Sequence, residues 1–380
     1  MKKILFTSLN DHVSWGGSEE LWSKSAIHLS KKNQVTVLVK KWDPEPKAIQ
    51  VLKKEGIDIV YKQIPQRRKR SLFFKILRKI GINTFNGKNE FSQLQQPFNN
   101  DLAILSVGNS LDPKIISYTD YFKLHNIPYV LVIQLATDLR NVADNLLSKL
   151  SVAYGSAKKV CFLSKDNLEK TQMNLSSIFK NSIYINNPFN YKQKYLAPNS
   201  NSSYTIACVA AFTTFHKGQD LLISVFAQEK WKKRNLILNL YGDGNNKEQI
   251  KNLITLHGLQ GKVNIIGFES DKDKIWKKNL ACIMPSRMEG QSLAMLEAMS
   301  CGRLIISTRV GDAEQLIDEG ITGFLIDAAT TKLIDLSLER AWQRKDDWIE
   351  MGLKSRAHLY NIITKDPVVD FSEKLINLLK

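Results

Sequence analysis

The sequence SRMEGQSLAMLEAMSCG, residues 286–302, follows a predicted buried strand at 281–284 and holds two glutamates in a short span. Glu289 lies in the predicted strand-to-helix loop, and Glu297 follows eight residues later, about two turns into the predicted helix. Doubly wound sheets bind their ligands at the carboxyl edge of the strands. We therefore expect both carboxylates to face one cleft at that edge.

The chemistry of this loop suits a nucleotide. A carboxylate accepts two hydrogen bonds from a vicinal diol, and backbone amides at the start of a helix hold phosphate oxygens. The amides of Gly290, Gln291 and Ser292 are therefore candidate ligands of a diphosphate. Glutamate pairs are also common on solvated helices. Spacing alone thus leaves a surface helix without a ligand equally open.

The motif resembles that of the family 4 retaining glycosyltransferases, which have the GT-B fold. The family's Glu, seven residues, Glu element and its Ala-Met-x-x-Gly stretch correspond to Glu289, Glu297 and residues 298–302. The flanking residues 283–286 and 308–325 match as well, so that the resemblance covers residues 204–330. It implies that Glu297 binds the donor ribose and that Glu289 is a catalytic residue at the transferred sugar.

A lysine precedes a glycine after the first strand of the predicted second domain. His216-Lys217-Gly218 opens a helix there, where a cation can meet a diphosphate. A lone lysine would usually be solvated, but the family has a diphosphate-binding Lys-Gly in this position, which implies a catalytic role for Lys217. The sequence departs from the family at Phe212, where arginine is common. One phosphate contact is then absent or supplied elsewhere.

Two features of the first half match the family more weakly. Gly16 and Gly17 follow the first strand, and glycines let a backbone approach a phosphate closely. A Gly-Gly before a helix is mostly a turn, but it corresponds to the family's N-terminal glycine loop, which faces the donor diphosphate. Many relatives have a histidine near the sugar after the fifth strand. Gln134 takes that position here and is a candidate sugar or acceptor contact without a proton to transfer.

Three other signals carry no site. Asp271-Lys272-Asp273 spells the DxD of metal-dependent glycosyltransferases, but it precedes a predicted helix and is better interpreted as capping and turn acids. The stretch YGDG at 241–244 is not the GxGxxG of dinucleotide-binding proteins. The six histidines and four cysteines lack metal spacing. We therefore predict no metal site and no cofactor.

Short β-type apolar runs alternate with helical patterns along the chain, which is typical of parallel sheets with helices on both faces. The predicted fold is α/β: two facing Rossmann-like, doubly wound parallel-sheet domains of the GT-B type with a cleft between them. We place an acceptor-binding domain at 1–190, a linker at 191–203 and a nucleotide-sugar-binding domain at 204–365. The amphipathic helix at 366–380 could pack on either domain.

The net charge of +17 is concentrated in the first half. No acidic residue interrupts residues 59–89, and the order of residues 67–80 predicts an interfacial helix with an apolar stripe flanked by cations. Core packing with a solvated basic rim is nearly as good an explanation. No fold signature of a nucleic-acid-binding protein accompanies the patch. We predict contact with an anionic membrane surface through Arg67, Arg68, Lys69, Arg70, Lys75, Arg78 and Lys79.

Together these features predict a retaining, metal-independent glycosyltransferase. It would move a sugar from a nucleotide diphosphate sugar to a glycan or lipid-linked acceptor in bacterial cell-surface polysaccharide or lipopolysaccharide synthesis. No apolar stretch approaches the length of a membrane span, so we expect a cytoplasmic protein, peripheral on the inner face of the cell membrane. The rival interpretations are a nicotinamide-dependent oxidoreductase and a basic, non-catalytic polyanion-binding protein.

Overall fold

A computed structural model describes residues 1–62, 98–138, 142–199 and 203–379. These residues form two parallel sheets, in the strand orders β3-β2-β1-β4-β5-β6-β7 and β10-β9-β8-β11-β12-β13. The strands of the first sheet are β1 (Lys3–Ser8), β2 (Gln34–Lys40), β3 (Asp58–Lys62), β4 (Leu102–Val107), β5 (Tyr129–Ile133), β6 (Lys159–Phe162) and β7 (Ser182–Tyr184). Those of the second are β8 (Tyr204–Val209), β9 (Leu236–Tyr241), β10 (Val263–Gly267), β11 (Ala281–Met284), β12 (Leu304–Thr308) and β13 (Gly323–Ile326).

Helices connect the strands of each domain. The first domain has α1 (Gly17–Ser30), α2 (Lys47–Lys54), α3 (Lys114–Leu124), α4 (Asp144–Gly155) and α5 (Lys165–Leu175). The second has α6 (Thr214–Lys217), α7 (Gln219–Phe226), α8 (Glu229–Lys233), α9 (Lys247–Leu256), α10 (Lys272–Lys278), α11 (Leu293–Ser300), α12 (Ala313–Leu316), α13 (Thr331–Gln343) and α14 (Trp348–Ile362). The last described helix is α15 (Pro367–Asn377).

Each sheet is buried on both faces. Successive side chains of a strand point to opposite faces, so Leu5 packs in one hydrophobic cluster while Ile4 and Phe6 pack in another. In the second sheet Ile206 and Ala207 are divided in the same way. Burial on both faces explains why the strands consist of nearly continuous apolar runs. The predicted architecture of two doubly wound parallel-sheet domains is confirmed.

The final helix belongs to the core of the first domain. Phe371 and Leu375 of α15 are buried in the cluster that contains Leu21 and Ala26 of α1. Asp366 caps α15 by accepting hydrogen bonds from the first backbone amides of the helix. The chain therefore crosses back from the second domain to the first, which adds a second connection between them.

The strand order sets where a ligand can bind. In each sheet the chain begins at an inner strand, winds to one edge, and returns to the other side of the first strand, at β1 and β4 and again at β8 and β11. The crevice beyond the carboxyl ends of such a pair is the usual ligand site of open parallel sheets. The loops after β1, β4, β8 and β11 are therefore placed to form a site.

Candidate functional site

A cavity of about 740 Å³ lies between the two domains at these strand ends. Ligand sites of small molecules usually enclose about 300 to 1,000 Å³. Its first-domain wall is made by Asn10, Val13, Gly16, Gly17, Ser18, Gly108, Gln134, Leu135, Leu163 and Asn187. Its second-domain wall includes His216, Lys217, Lys272 and most of residues 288–297.

Glu289 and Lys217 form an ion pair in the second-domain wall. Lys217 Nζ lies 2.6 Å from Glu289 Oε1, and Ser286 Oγ donates to the same oxygen at 2.8 Å. The two residues are distant in sequence, but they follow the adjacent strands β8 and β11. Gly218 allows the segment after β8 to lie close to the segment after β11. Its φ is +68°, and a Cβ there would lie 2.1 Å from the Pro285 carbonyl oxygen. The structure thus brings the two predicted catalytic residues together.

Glu297 lies further along the same wall, in α11. This helix begins at Leu293 with Ser292 as its N-cap, so Glu297 is just over one turn into the helix and not about two. The loop residues Gly290–Ser292 precede the helix, and their amides are not in its first turn. The helix starts late because the Ser292 hydroxyl accepts a hydrogen bond from Met295 N, which fixes the cap at Ser292.

A second lysine pairs with Glu297. Lys272 Nζ lies 3.2 Å from Glu297 Oε2, and both residues line the cavity. Burial raises the pKa of Glu297, and the charge of Lys272 opposes that rise. Lys272 was not among the predicted site residues, because the two acidic residues of the Asp271-Lys272-Asp273 stretch indicated only a helix cap and a turn. That interpretation is confirmed for Asp271, whose carboxylate accepts from the amides of Asp273 and Lys274.

The glycine loop of the first domain rests on a buried carboxylate. Glu19 accepts hydrogen bonds from Ser8 Oγ at 2.7 Å, from Asn10 Nδ2 at 3.1 Å and from Ser18 Oγ. Burial raises the pKa of Glu19, and these hydrogen bonds oppose that rise. Gly16 is extended and caps α1, which starts at Gly17. No role was predicted for Glu19, because acidic residues are common in the first turn of helices.

Gln134 is the first residue after β5 and is buried where it lines the cavity. Its side-chain Nε2 is 3.4 Å from Ser106 Oγ. Its backbone carbonyl faces Gly290 so closely that a Cβ on Gly290 would lie 1.9 Å from the Gln134 oxygen. The contact of Gln134 with a sugar or acceptor stays a prediction.

Hydrogen bonds join the domains beside the cavity. Asn187 Nδ2 donates to Gln291 O at 2.9 Å, and Gly311 N donates to Asp166 Oδ2 at 3.0 Å. Next to Gly311, Asp312 is fully buried, and the polar groups beside its carboxylate are the Gln291 side chain and the Ser292 backbone. Burial raises its pKa to about 8. A neutral acid therefore lies behind the Glu289 loop at neutral pH.

The residue at the position of the family's arginine does not join the site. Phe212 is buried in the core of the second domain, where its ring cannot contact a phosphate. The predicted membrane-contact residues Arg67, Arg68, Lys69, Arg70, Lys75, Arg78 and Lys79 lie outside the described residues, as does part of the predicted linker. Among the described residues no three His, Cys, Asp or Glu side chains cluster as metal ligands would.

Comparison with known proteins agrees with this geometry. Residues 193–354 match the model of the family described as glycosyl transferases group 1. An uncharacterized glycosyltransferase of Haemophilus influenzae is 27% identical over 142 residues, which are 37% of this chain and 40% of that protein. The O-antigen biosynthesis glycosyltransferase WclY of Escherichia coli is 28% identical over 187 residues, 47% of this chain and 50% of that protein. The chain thus matches half or less of the length of these relatives.

Solved structures extend the likeness to both domains. HepE of Anabaena, solved in complex with UDP-glucose, superposes with a TM-score of 0.72 over 100% of this chain and 99% of that chain, at 18% sequence identity. At this identity the likeness concerns the fold. The GT-B fold is confirmed, and the family match supports a GT-B glycosyltransferase of group 1. The narrower placement in family 4 stays a prediction.

Proposed function

We propose that this protein is a retaining, metal-independent glycosyltransferase that moves a sugar from a nucleotide diphosphate sugar to a glycan or lipid-linked acceptor. The observation that carries the proposal is the Lys217–Glu289 pair, which faces the glycine loop at Gly16 and Gly17 across a cavity of about 740 Å³. A cavity of this size accommodates a nucleotide sugar between the two walls.

Each polar group then has a role. Lys217, the loop Gly290–Ser292 and the backbone at Gly16 and Gly17 stabilise the leaving diphosphate. Glu289 contacts the transferred sugar, and Glu297 accepts hydrogen bonds from the ribose hydroxyls. Fixed charges and donors that are aimed at the developing negative charge lower the barrier without a change in protonation.

Retention follows if the leaving phosphate acts as the base. The bond from the anomeric carbon to the phosphate oxygen breaks, the acceptor oxygen bonds to the same face of that carbon, and the acceptor proton passes to the phosphate. Among the described residues the first-domain wall holds no ionisable side chain: it consists of Asn10, Val13, Gly16, Gly17, Ser18, Gly108, Gln134, Leu135, Leu163 and Asn187. This supports a reaction in which the first domain positions the acceptor and supplies no base.

The relatives suggest the pathway and the donor. The E. coli relative is described as an O-antigen biosynthesis enzyme, and the Anabaena neighbour was solved with UDP-glucose. We extend the proposal to cell-surface polysaccharide or lipopolysaccharide synthesis in bacteria, with UDP-sugars as the first donors to test.

A donor screen followed by NMR tests this function. Thermal shift with UDP, GDP and ADP identifies the base, since a ligand that binds only the folded state raises the melting temperature. The matching nucleotide sugars are then incubated with the protein in excess EDTA, and the released sugar is followed by ¹H NMR. We expect release, with the donor's anomer formed first, and loss of release in Lys217→Met. No release from any donor, the inverted anomer first, or rescue by added magnesium would contradict the proposal.

The membrane association is a separate proposal. None of the helices in the described part of the chain is long and apolar enough to cross a bilayer. We propose that residues 67–79 hold the protein on an anionic membrane surface at the inner face of the cell membrane, because each cation near such a surface contributes about 1 kcal/mol.

A sedimentation assay with anionic and neutral vesicles tests this association. Replacing Arg67, Arg68, Lys69 and Arg70 with Ser should abolish pelleting with anionic vesicles, and added salt should weaken it in the wild type. The matched control replaces four exposed lysines elsewhere, Lys165, Lys251, Lys274 and Lys354. Equal pelleting of the two variants would show that total charge, and not this segment, is responsible.

A further inference from the structure

Lys272 places a cation on the carboxylate that is proposed to bind ribose. Its Nζ lies 3.2 Å from Glu297 Oε2, and its side chain is 46% exposed at the cavity. Asp271 caps α10 and so fixes the helix start. Lys272 is the first residue of that helix, and its side chain reaches across to α11. The two helices are consecutive in the chain and are separated by β11 and the loop that holds Glu289.

A carboxylate must be ionised to accept two hydrogen bonds from the ribose hydroxyls. Burial works against this, since removal from water favours the neutral acid and raises the pKa of Glu297. An opposite charge within hydrogen-bond distance favours the ionised form. Lys272 supplies that charge from inside the cavity.

The other charged and titratable groups near Glu297 cannot replace Lys272. Lys24 and Glu20 of α1 act on Glu297 with opposite signs, and they form an ion pair with each other at 2.9 Å. Burial raises the pKa of the thiols of Cys282 and Cys301, so these groups are neutral. The net stabilising charge therefore comes from Lys272.

We propose that Lys272 is a positioning residue of the donor site, which keeps Glu297 ionised and directed at the ribose and thereby supports nucleotide affinity. This inference rests on the proposed function. Affinity is present where Glu297 is ionised and is lost as the pH falls through its pKa. Removing the cation that lowers this pKa moves the loss of nucleotide affinity to higher pH.

The test compares the pH dependence of nucleotide affinity in four proteins. The dissociation constant of the nucleoside diphosphate that gives the largest thermal shift among UDP, GDP and ADP is measured by calorimetry from pH 5.5 to 8.5. The proteins are the wild type, Lys272→Met, Lys272→Arg and Lys274→Met. Lys274 is the matched control, because it lies on the same helix but is 71% exposed and interacts with Asp271.

We expect Lys272→Met to bind about tenfold more weakly than the wild type at the acidic end of this range, as for the loss of one charge-assisted hydrogen bond to the ribose, and to approach wild-type affinity at the alkaline end. Lys272→Arg should restore the wild-type profile, and Lys274→Met should not change it. The maximal rate at saturating donor should change much less than the affinity among the four proteins.

Two failures are distinguishable. If the wild type binds none of the three nucleotides, the proposed function is wrong. If the wild type binds but Lys272→Met is weaker by the same factor at every pH, or is unchanged, only the role of Lys272 is wrong. Should the Met variant melt below the assay temperature, Lys272→Gln provides the same comparison with a polar side chain.

Discussion

The two walls of the interdomain cavity differ in charge. The second-domain wall carries two lysine–carboxylate pairs, Lys217 with Glu289 and Lys272 with Glu297. The described part of the first-domain wall consists of glycines, amides, apolar side chains and the hydroxyl of Ser18. Its nearest carboxylate, Glu19, is buried behind the glycine loop. Under the proposed function, this division assigns the ionic recognition of the donor to one domain and leaves the other to shape the space and position the acceptor.

The walls also differ in how closely they fit their neighbours. A Cβ on Gly290 would meet the Gln134 carbonyl oxygen at 1.9 Å, whereas a Cβ on Gly16 would have 3.7 Å to Val13 Cγ2. The Glu289 loop is therefore fitted against the first domain, while Gly16 has room around it; its neighbour Gly17 is closer to the opposite wall, since a Cβ there would lie 3.1 Å from Leu293 Cδ1. Five variants test this difference.

The largest effect is expected from Gly290→Ala. The added methyl group must displace the Gln134 carbonyl and so separates the loop from the first domain. We expect turnover to fall at least about a hundredfold, because misplacement by about 1 Å is sufficient for such a loss. Turnover with the identified donor and thermal unfolding measure the result. Gly155→Ala is the control, since its Cβ would meet nothing within 4 Å. Wild-type turnover in Gly290→Ala would show that the domains are not in contact during the reaction.

The glutamates of the charged wall should separate by function. We expect Glu297→Ala to weaken nucleotide binding and Glu289→Ala mainly to lower turnover, each by about tenfold to a hundredfold, the value of a lost charge-assisted hydrogen bond. Calorimetry gives the first quantity and steady-state kinetics the second. If both variants keep wild-type turnover, the charged wall is not the donor site.

How far the sequence predicts this site depends on how local each feature is. The loop that holds Glu289 and Glu297 is one continuous motif, and Lys217 stands beside a recognisable glycine, so all three were identified. The contact between Lys217 and Glu289 depends on β8 and β11 being neighbours in the sheet. Alternating apolar runs do not reveal the strand order, so the contact could not be predicted. The strands themselves were predictable because burial on both faces leaves continuous apolar segments.

The residues that the sequence did not identify owe their roles to tertiary contacts. Lys272 lies in a stretch whose acids cap a helix, and only the tertiary structure shows that its side chain pairs with Glu297. Asp312 is in a Gly-Asp turn that would ordinarily be solvated, yet it is fully buried. The role of Glu19 depends on Ser8, at the end of β1, whose hydroxyl donates a hydrogen bond to it.

Asp312→Asn tests the buried acid behind the charged wall. The pKa of Asp312 is raised from 3.8 to about 8, so the folded state holds a proton that the unfolded state has released. Its contribution to the free energy of unfolding is fully present below pH 3.8 and is lost as the pH rises to about 8. Asn is neutral at every pH and removes this dependence.

We therefore expect the melting temperature of Asp312→Asn, relative to the wild type, to increase between pH 5 and about pH 8 and then to level off. Thermal unfolding at several pH values measures the difference. Asp120→Asn, at an exposed position of α3, is the matched control and should show a constant difference. A difference for Asp312→Asn that is independent of pH would mean that this carboxyl group is ionised in the folded protein.

The smallest effect is expected from Gly16→Ala in the neutral wall, and it tests whether that wall contacts the donor. Gly16 is extended, a conformation open to any residue, and its Cβ would be at least 3.7 Å from its neighbours. The free protein should therefore melt at the wild-type temperature.

If the loop backbone approaches the diphosphate, the methyl group interferes with one hydrogen bond to a charged oxygen, and affinity should fall by about tenfold. Calorimetry with the nucleoside diphosphate measures this loss, and the free nucleoside, which lacks phosphate, should bind both proteins equally. Equal diphosphate affinity in both proteins would confine diphosphate recognition to the charged wall, because a backbone in van der Waals contact with phosphate oxygens has no space for a methyl group.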